Sequence, residues 1–313
     1  MTDFASLPVT PLSQKGFPWR LESPVTLGLL EKMKKAGKPL GKYANGKIYR
    51  GVVSGLNEAF VIDGATRRAL IAESPKAAEI IKPYLGGKHI RKWVCERPDQ
   101  WMLYLPHGVI TKGLDSVIEH LRPYRKQLEE RATEQAWYEL QQPQEKFTEA
   151  YAAEKLVFPD ISSEVRFAYD PTGAYPTNTA YGIPSKDFFL LGVLNSTAVE
   201  FFYTHLSCQI RGGYLRFIYQ YVEQIPIPEA SAGERAAVAG LVERVLAASR
   251  RGRADPPSLS ASYGETRPPS RGATADKSAA AVAALEQEID ARVYRLYGLT
   301  KDEIKLVEDG VRR

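Results

Sequence analysis

The sequence predicts an α+β fold, because helical periodicity and short strand-like runs alternate irregularly along the chain. Ser23 and Pro24 open a helix that ends near Gly37, whereas residues 46–63 are rich in β-forming side chains and predict two strands around a polar turn at 54–57. The regular alternation of a doubly wound parallel sheet is missing. A hydrophobic content of 44% over 313 residues suffices for one large domain or two ordinary ones.

Further elements follow from local patterns. A capping box at Ser116 and Glu119 predicts the start of a helix that is interrupted near Pro123. Residues 186–207 are apolar nearly all round, which is typical of a central buried helix. Additional strands are expected at 100–106, 154–162 and 178–185.

The composition changes after Pro228. A capping box at Ser231 and Glu234 predicts an amphipathic helix, and apolar residues from Val282 to Leu296 recur at the spacing of a helical seam. We therefore expect a C-terminal helical hairpin that a linker interrupts. The expected segments are a connector at 1–22, a mixed sheet-and-helix domain at 23–229, a helix at 230–248, a disordered Arg-, Pro- and Ser-rich linker at 249–279 and a helical segment at 280–313.

Composition narrows the class of protein. No apolar run is long enough to span a bilayer and the first residues lack a signal-peptide pattern, so we expect a cytoplasmic protein. Cys95 and Cys208 stand far apart and the four histidines lack ligand spacing, so no metal site is expected. Lys and Arg exceed Asp and Glu by 42 to 37, and the pI near 9.0 favours an acidic partner.

We find no sequence motif of a self-sufficient enzyme. The chain lacks GxSxG, HExxH, P-loop and GxGxxG patterns. The tetrapeptide DPPS at Asp255 has Ser258 where a base-stacking aromatic would be needed, and Asp160 with Glu164 lacks the lysine and strand spacing of a metal-dependent nuclease. We expect no catalytic residue in this chain.

Two basic segments are candidates for nucleic-acid contact. In residues 82–97 five cations are interleaved with aromatic residues around a Gly-Gly turn, which suits contacts to successive phosphates. In RGGYLRF, residues 211–217, the glycines permit close approach to a backbone, and the arginines can pair with phosphate or guanine. An ordinary solvated turn and a hairpin turn before a core strand, respectively, remain alternative interpretations.

The order of eight sequence blocks adds a family resemblance. The chain resembles the TaqI-like C-terminal specificity domain, the target-recognition part of adenine-specific DNA methyltransferases and of type IIG restriction-modification enzymes, from about Leu12 to Val307 apart from the linker. The blocks are KIYRGVVSGLNEAFVID, IIKPYLGGKHIRKW, WYELQQP, KLVFPDIS, YPTNTAYGIP, LLGVLNS, RGGYLRFIYQYVEQIPIP and ALEQEIDARVYRLYGLT.

The resemblance implies recognition of double-stranded DNA beside a methylase domain that flips adenine and methylates its exocyclic amine. S-adenosylmethionine would bind that methylase domain or subunit, whose glycine and Asn/Asp-Pro-Pro-aromatic motifs this chain lacks, so no cofactor is expected here. Leu215 and Phe217 would anchor the second loop. DNA contacts are expected from Ser54, Asn57, Lys88, His89, Arg91, Lys92, Arg211, Gly212, Gly213, Tyr214 and Arg216.

Two other functions stay open. The chain could be an interaction module whose C-terminal helices dock onto a methylase or nuclease partner, with only weak DNA binding. A self-sufficient enzyme would have to bind S-adenosylmethionine without another domain. Residue type alone does not give the recognised base sequence, because DNA deformation also contributes to specificity.

Overall fold

The structure, a computed structural model, describes residues 22–210, 212–251 and 271–311, with the backbone alone for 251 and 271–277. The helices are α1 (Pro24–Ala36), α2 (Leu40–Tyr43), α3 (Asn57–Phe60), α4 (Gly64–Glu73), α5 (Ala77–Ile80), α6 (Asp115–Leu121), α7 (Arg125–Glu129), α8 (Thr148–Ala152), α9 (Phe188–Leu194), α10 (Thr197–Leu206), α11 (Tyr219–Val222), α12 (Ala232–Arg251), α13 (Arg271–Leu296) and α14 (Lys301–Val311). Short 3-10 turns occupy Gly87–His89, Arg122–Tyr124 and Glu145–Phe147.

Strands are short throughout the described residues, and the expected α+β class is confirmed. They are β1 (Gly37–Pro39), β2 (Tyr49–Arg50), β3 (Val61–Asp63), β4 (Ile81–Leu85), β5 (Trp93–Val94), β6 (Gln100–Leu103), β7 (Lys155–Pro159), β8 (Ile161–Ser162), β9 (Ala168–Asp170), β10 (Tyr175–Pro176), β11 (Ala180–Ile183), β12 (Gln209–Ile210), β13 (Tyr214–Arg216) and β14 (Pro226–Pro228).

A four-stranded sheet in the order β10-β4-β6-β3 organises one part of the chain, here called the four-stranded lobe together with α3–α8. Its core contains Phe60, Met102, Leu121 and Tyr151, all nearly or fully buried. β10 joins the sheet in parallel beside β4, although the two strands lie far apart in the sequence. This pairing ties the later chain to the lobe.

A five-stranded sheet in the order β2-β11-β7-β9-β5 forms, with α1 and α9–α14, the five-stranded lobe. α9 packs tightly against two C-terminal helices. A Cβ added at Gly192 would lie only 2.7 Å from Val238 Cγ1 on α12 and 3.8 Å from Ile289 on α13. Ser278 donates to the carbonyl of Ala248 at 2.7 Å, so the start of α13 lies beside the end of α12.

The C-terminal hairpin is antiparallel, as the sequence predicts. The charge of Arg295, near the end of α13, helps to lower the pKa of Glu234 at the start of α12, whereas Ser278, near the start of α13, contacts Ala248 near the end of α12. The seam residues Leu285, Ile289 and Val293 are buried within the chain. Both ends of the segment expected as a linker at 249–279 are helical, since α12 reaches 251 and α13 begins at 271. Residues 252–270 lie outside the described residues.

Some predicted elements differ from the structure. The capping-box prediction at Ser116 is wrong: α6 begins at Asp115, and Ser116 is buried with its hydroxyl donating to the carbonyl of Leu70 at 2.9 Å. A tertiary hydrogen bond therefore replaces the local cap. The interruption near Pro123 is confirmed, since a 3-10 turn separates α6 from α7.

Residues 186–207 form two buried helices rather than one. Asn195 ends α9 and pairs through its amide with both backbone groups of Phe167 at 2.9 Å, while Ser196 caps α10. In residues 46–63 the second half begins with the helical turn α3, which carries the fully buried Phe60 into the core, so the second strand is restricted to β3.

The two lobes are joined by backbone pairing. Gly51 N–H donates to the carbonyl of Ala180 at 3.0 Å, and Val52 N–H donates to that of Pro176 at 2.8 Å. A small apolar cluster that includes Leu85, Val157 and Ala180 packs at the same place. Among the helices that the structure describes, none has the length and apolarity to cross a bilayer.

Candidate nucleic-acid interface

The hairpin β12–β13 carries the second predicted loop. Gly212 and Gly213 have φ of +86° and +79°, a left-handed conformation that favours glycine, so the chain reverses between Ile210 and Tyr214. Arg211 lies outside the described residues. The glycines thus have a conformational role, and the hairpin interpretation of this segment is confirmed.

Side chains alternate along β13. Leu215 and Phe217 are buried to 2% and 0% exposure, whereas Tyr214 and Arg216 face solvent. Ser207 fixes the strand by accepting from Arg216 N–H at 3.1 Å and donating to the Arg216 carbonyl at 2.9 Å. The backbone is therefore held in place while the side chains of Tyr214 and Arg216 are presented outward.

The first predicted loop begins with a 3-10 turn at 87–89. Gly87 N–H donates to Thr179 Oγ1 at 2.9 Å, and a Cβ on Gly87 would collide with the Thr179 carbonyl. Lys88, in the same turn, is exposed. The glycine is needed here for close approach rather than for a left-handed φ.

His89 is only 7% exposed and packs edge-on against Tyr84 with ring centroids 5.8 Å apart. Burial, followed by the positive charge of Lys88, lowers the pKa of His89 below its ordinary value, which favours the neutral imidazole. Its Nδ1 is buried and has no hydrogen-bond partner within the described chain. His89 thus supports the turn instead of offering an exposed cation.

Two further cations of the loop, Arg91 and Lys92, are ion-paired. Arg91 donates from Nε and Nη2 to Glu96 at 2.9 and 3.2 Å, and both side chains remain about two-fifths exposed. Lys92 lies 3.0 Å from Glu286 of α13. These two loop cations differ, since one pair closes within the loop and the other connects it to the C-terminal helices.

A chain of backbone contacts brings the two loops together. Thr179 accepts from Gly87 through its side chain and from Asp160 N–H through its carbonyl at 2.9 Å. The Asp160 carbonyl accepts from Phe217 N–H at 2.7 Å. Consecutive hydrogen bonds therefore connect the 87–89 turn to the end of β13.

Arg166 lies between these loops and was not among the predicted residues. Burial is the main cause that lowers its pKa, and the neighbouring Glu164 opposes it. The charges of Arg91, Glu96 and Tyr214 also act on this guanidinium, so both loops approach it. Arg166 Nε is buried without a hydrogen-bond partner among the described residues. No sequence spacing identifies it, because the proximity depends on the tertiary fold.

Arg50 is a second cation that the sequence analysis missed. It is exposed on β2 directly opposite Tyr181 of β11. Burial, and then Asp160, raises the pKa of Tyr181, and the nearby charges of Arg50 and Arg216 oppose this rise. Arg50 therefore lies in the same electrostatic neighbourhood as the outward-facing Arg216.

The predicted polar turn at 54–57 belongs to the four-stranded lobe. Ser54 is 5% exposed and its hydroxyl donates to Asn57 Oδ1 at 2.7 Å. The Arg131 guanidinium donates from Nη1 to the Ser54 carbonyl at 2.8 Å. Asn57 is exposed, whereas the Ser54 hydroxyl is engaged inside the turn.

Comparison with known proteins gives a family-model match in the middle of the chain. Residues 82–227 match the family model of the TaqI-like C-terminal specificity domain. This match contains both loops, while Ser54, Asn57 and the C-terminal hairpin lie beyond it. The interface built from the two loops is thus the part of the candidate site that the family match covers.

Curated relatives are longer than the matching region. The chain is 29% identical over 231 residues to type II methyltransferase M.PaeR7I of Pseudomonas aeruginosa, covering 67% of this chain and 37% of that protein. It is 24% identical over 206 residues to type II methyltransferase M.BanIII of Aneurinibacillus aneurinilyticus, covering 58% of this chain and 35% of that protein. The chain therefore spans just over a third of these relatives.

A solved structure shares the fold. The type IIL restriction-modification enzyme MmeI, determined in complex with DNA, superposes with a TM-score of 0.57 at 14% identity over 85% of this chain and 35% of the MmeI chain. At this identity the similarity concerns the arrangement of helices and strands.

Proposed function

We propose that the chain recognises a specific sequence in double-stranded DNA; the match of residues 82–227 to the family model of the TaqI-like C-terminal specificity domain supports this. The chain does so as the specificity part of an adenine-specific DNA methyltransferase of a restriction-modification system. The observation that carries the proposal is the hydrogen-bonded junction at Thr179 and Asp160, which connects the 87–89 turn to the end of β13.

In this proposal the residues near the two loops have separate roles, according to their charge and exposure. Lys88 and Arg50 are exposed cations suited to phosphate oxygens, which position DNA without reading its sequence. Arg216 extends from a fixed strand and can present its guanidinium to a base edge, for which guanine is the usual partner of arginine. Tyr214 on the same strand offers a stacking surface, and Arg211 with Gly212 and Gly213 completes the proposed loop.

The remaining predicted contacts have supporting or conditional roles. Arg91 can exchange Glu96 for phosphate because their pair is partly exposed. His89 stabilises the turn by packing against Tyr84, and Lys92 stabilises the loop through its ion pair with Glu286. Asn57 is available for a base edge, with Ser54 orienting its amide oxygen.

Methylation chemistry belongs, in this proposal, to a methylase domain or subunit that binds S-adenosylmethionine and acts at adenine N6. The curated relatives are type II methyltransferases, which supports a methylase partner. A type IIG arrangement, with recognition and catalysis in one polypeptide, and a cytoplasmic location are parts of the same proposal. DNA recognition by the present residues requires no cofactor in this scheme.

The alternative of a docking module rests mainly on the apolar seam from Val282 to Leu296. Leu285, Ile289 and Val293 are buried against α9 and α12 of the same chain. The seam is thus occupied internally, which favours DNA recognition over docking through that seam.

The proposal is tested by fluorescence anisotropy with a labelled pool of random 30-base-pair duplexes at about 50 and 200 mM salt, followed by sequencing of the bound fraction. An enriched motif is expected. Arg216→Ala should reduce that enrichment and weaken binding to the selected duplex by about 1–3 kcal/mol. Arg244→Ala, an exposed arginine on α12, is the charge-matched control. Absence of duplex binding by the wild-type chain would contradict the proposal.

A further inference from the structure

Trp93, in the second half of the loop at 87–96, has an unusual backbone conformation. Its φ is +75°, in the left-handed region that bulky residues rarely adopt. The residue is nevertheless almost completely buried, with 2% exposure. A strained position occupied by a large side chain requires surrounding contacts that hold it, and such positions concentrate at functional sites.

Local hydrogen bonds make this conformation part of a tight reversal. Arg91 N–H donates to the Val94 carbonyl at 3.0 Å, and Trp93 N–H donates to the Phe167 carbonyl at 2.9 Å. Glu96 N–H donates to the His89 carbonyl at 2.7 Å. The strained residue therefore lies at the turn that returns the loop to the sheet, and its orientation affects the loop as a whole.

Glu286 of α13 binds this turn through one carboxylate oxygen. Trp93 Nε1 donates to Glu286 Oε1 at 2.6 Å, and Lys92 Nζ lies 3.0 Å from the same atom. Lys92 also lies 5.6 Å from the centroid of the Trp93 ring. One side chain from the C-terminal hairpin thus holds two consecutive residues of a loop located 193 residues earlier in the sequence.

We infer that Glu286 is a positioning residue for DNA binding, which fixes the loop at 87–96 in the conformation that presents Lys88 and Arg91. This inference rests on the proposed DNA recognition. Glu286 is expected to touch no DNA, and its negative charge should oppose the approach of phosphate. Its contribution to affinity would therefore come from the geometry of Trp93 and Lys92.

The sign of the effect separates positioning from charge. Removing a carboxylate near a phosphate-binding surface strengthens DNA binding if charge alone matters. Glu286→Ala should instead weaken binding of the random duplex pool by about fivefold, the loss expected for one net hydrogen bond. Glu286→Gln keeps an oxygen acceptor for the Trp93 indole and should retain most of the affinity.

The matched control is Glu288→Ala on the same helix. Glu288 is about half exposed and pairs with Arg292, so the variant makes the same charge change without touching the loop. It should bind DNA as tightly as the wild type or slightly more tightly. If the DNA affinity of Glu286→Ala changes in the same direction and to the same extent as that of Glu288→Ala, the inference is wrong.

A second variant keeps the test decisive if Glu286→Ala does not fold. Trp93→Phe retains the buried ring but removes the indole N–H, so it should lower affinity in the same direction. In NMR spectra of the wild-type chain, the indole signal lost in Trp93→Phe should shift in Glu286→Ala and remain near its position in Glu288→Ala. A folded Trp93→Phe protein with wild-type affinity would exclude the positioning role.

Failure of the inference is distinguishable from failure of the proposed function. If the wild-type chain does not bind the duplex pool, DNA recognition by this chain is wrong. If the wild type binds, and Glu286→Ala and Trp93→Phe bind with wild-type affinity, DNA recognition stands and the role of Glu286 is wrong.

Discussion

Arg91 and Glu96 form a two-point ion pair across the first loop, with Nε–Oε1 and Nη2–Oε2 distances of 2.9 and 3.2 Å. Because both side chains are partly exposed, the pair is weak enough for a phosphate to replace the carboxylate. The electrostatic state of this loop therefore depends on an acid that belongs to the loop itself.

Glu96→Gln should strengthen binding to random duplex DNA by up to about fivefold at 50 mM salt, because it removes a repelling charge and releases Arg91. The gain should diminish near 500 mM salt, where charges are screened. Anisotropy titrations at both concentrations measure it. Glu129→Gln, which alters a similarly exposed ion pair in α7, is the control; an equal gain there would indicate a nonspecific charge effect.

Lys88→Ala should weaken binding to all duplex sequences alike and reduce the slope of log K against log salt by about 1, as expected for the loss of one phosphate contact. The measurement is a salt series on two unrelated duplexes. Lys301→Ala, at the exposed start of α14, makes the same charge change at another surface. A sequence-dependent effect of Lys88→Ala would assign Lys88 to a base instead.

Gly87→Ala should destabilise the fold by about 1–3 kcal/mol, because the added methyl group collides with the Thr179 carbonyl at the loop junction. Urea unfolding measures this change. Gly28→Ala, in α1 with open space around its Cβ position, should be neutral or stabilising by up to about 1 kcal/mol. Equal unfolding free energies for wild type and Gly87→Ala would contradict the close approach.

Lys155 and Asp170 form a buried ion pair at 2.7 Å, with side-chain exposures of 1% and 3%. Lys155 Nζ also donates to the carbonyl of Tyr151 at 2.6 Å. Lys155→Met should cost about 3–5 kcal/mol, because it leaves the Asp170 carboxylate buried without its cation. Lys186→Met, at a largely exposed pair, should change the unfolding free energy by less than about 0.5 kcal/mol.

The burial of Glu200 should make the stability of the fold depend on pH. Burial raises the pKa of this carboxyl above its ordinary 4.5, against the opposing charge of Lys92. The folded state then binds the proton more tightly than the unfolded state, so this contribution to stability is full below pH 4.5 and is lost as pH rises through the folded pKa. Glu200→Gln should reduce this loss. Urea unfolding at several pH values, with exposed Glu243→Gln as control, measures the difference.

Local sequence patterns predicted much of the secondary structure and part of the geometry of the candidate site. The glycines at 212 and 213, the buried anchors Leu215 and Phe217 and the exposed Arg216 all follow from strand alternation and turn chemistry. These features depend on residues within one short segment. The sequence therefore contains enough information for them.

Other features depend on contacts between distant segments. The burial of His89 against Tyr84, the Glu286 contact to Lys92 and the position of Arg166 between the loops require the assembled lobes. A basic side chain in a glycine-rich segment gives no indication that a helix nearly two hundred residues later supplies its counterion. Ser54 illustrates the same limit, since its hydroxyl is occupied by Asn57.

The arrangement of β13 has an evolutionary consequence. Ser207 holds both backbone groups of Arg216, and the neighbouring Leu215 supplies the buried contact, so the outward side chains at 214 and 216 contribute little to folding. Substitutions there can accumulate without loss of the protein. Under the proposed function, single codon changes at these positions would alter DNA preference while the supporting framework stays under selection for stability.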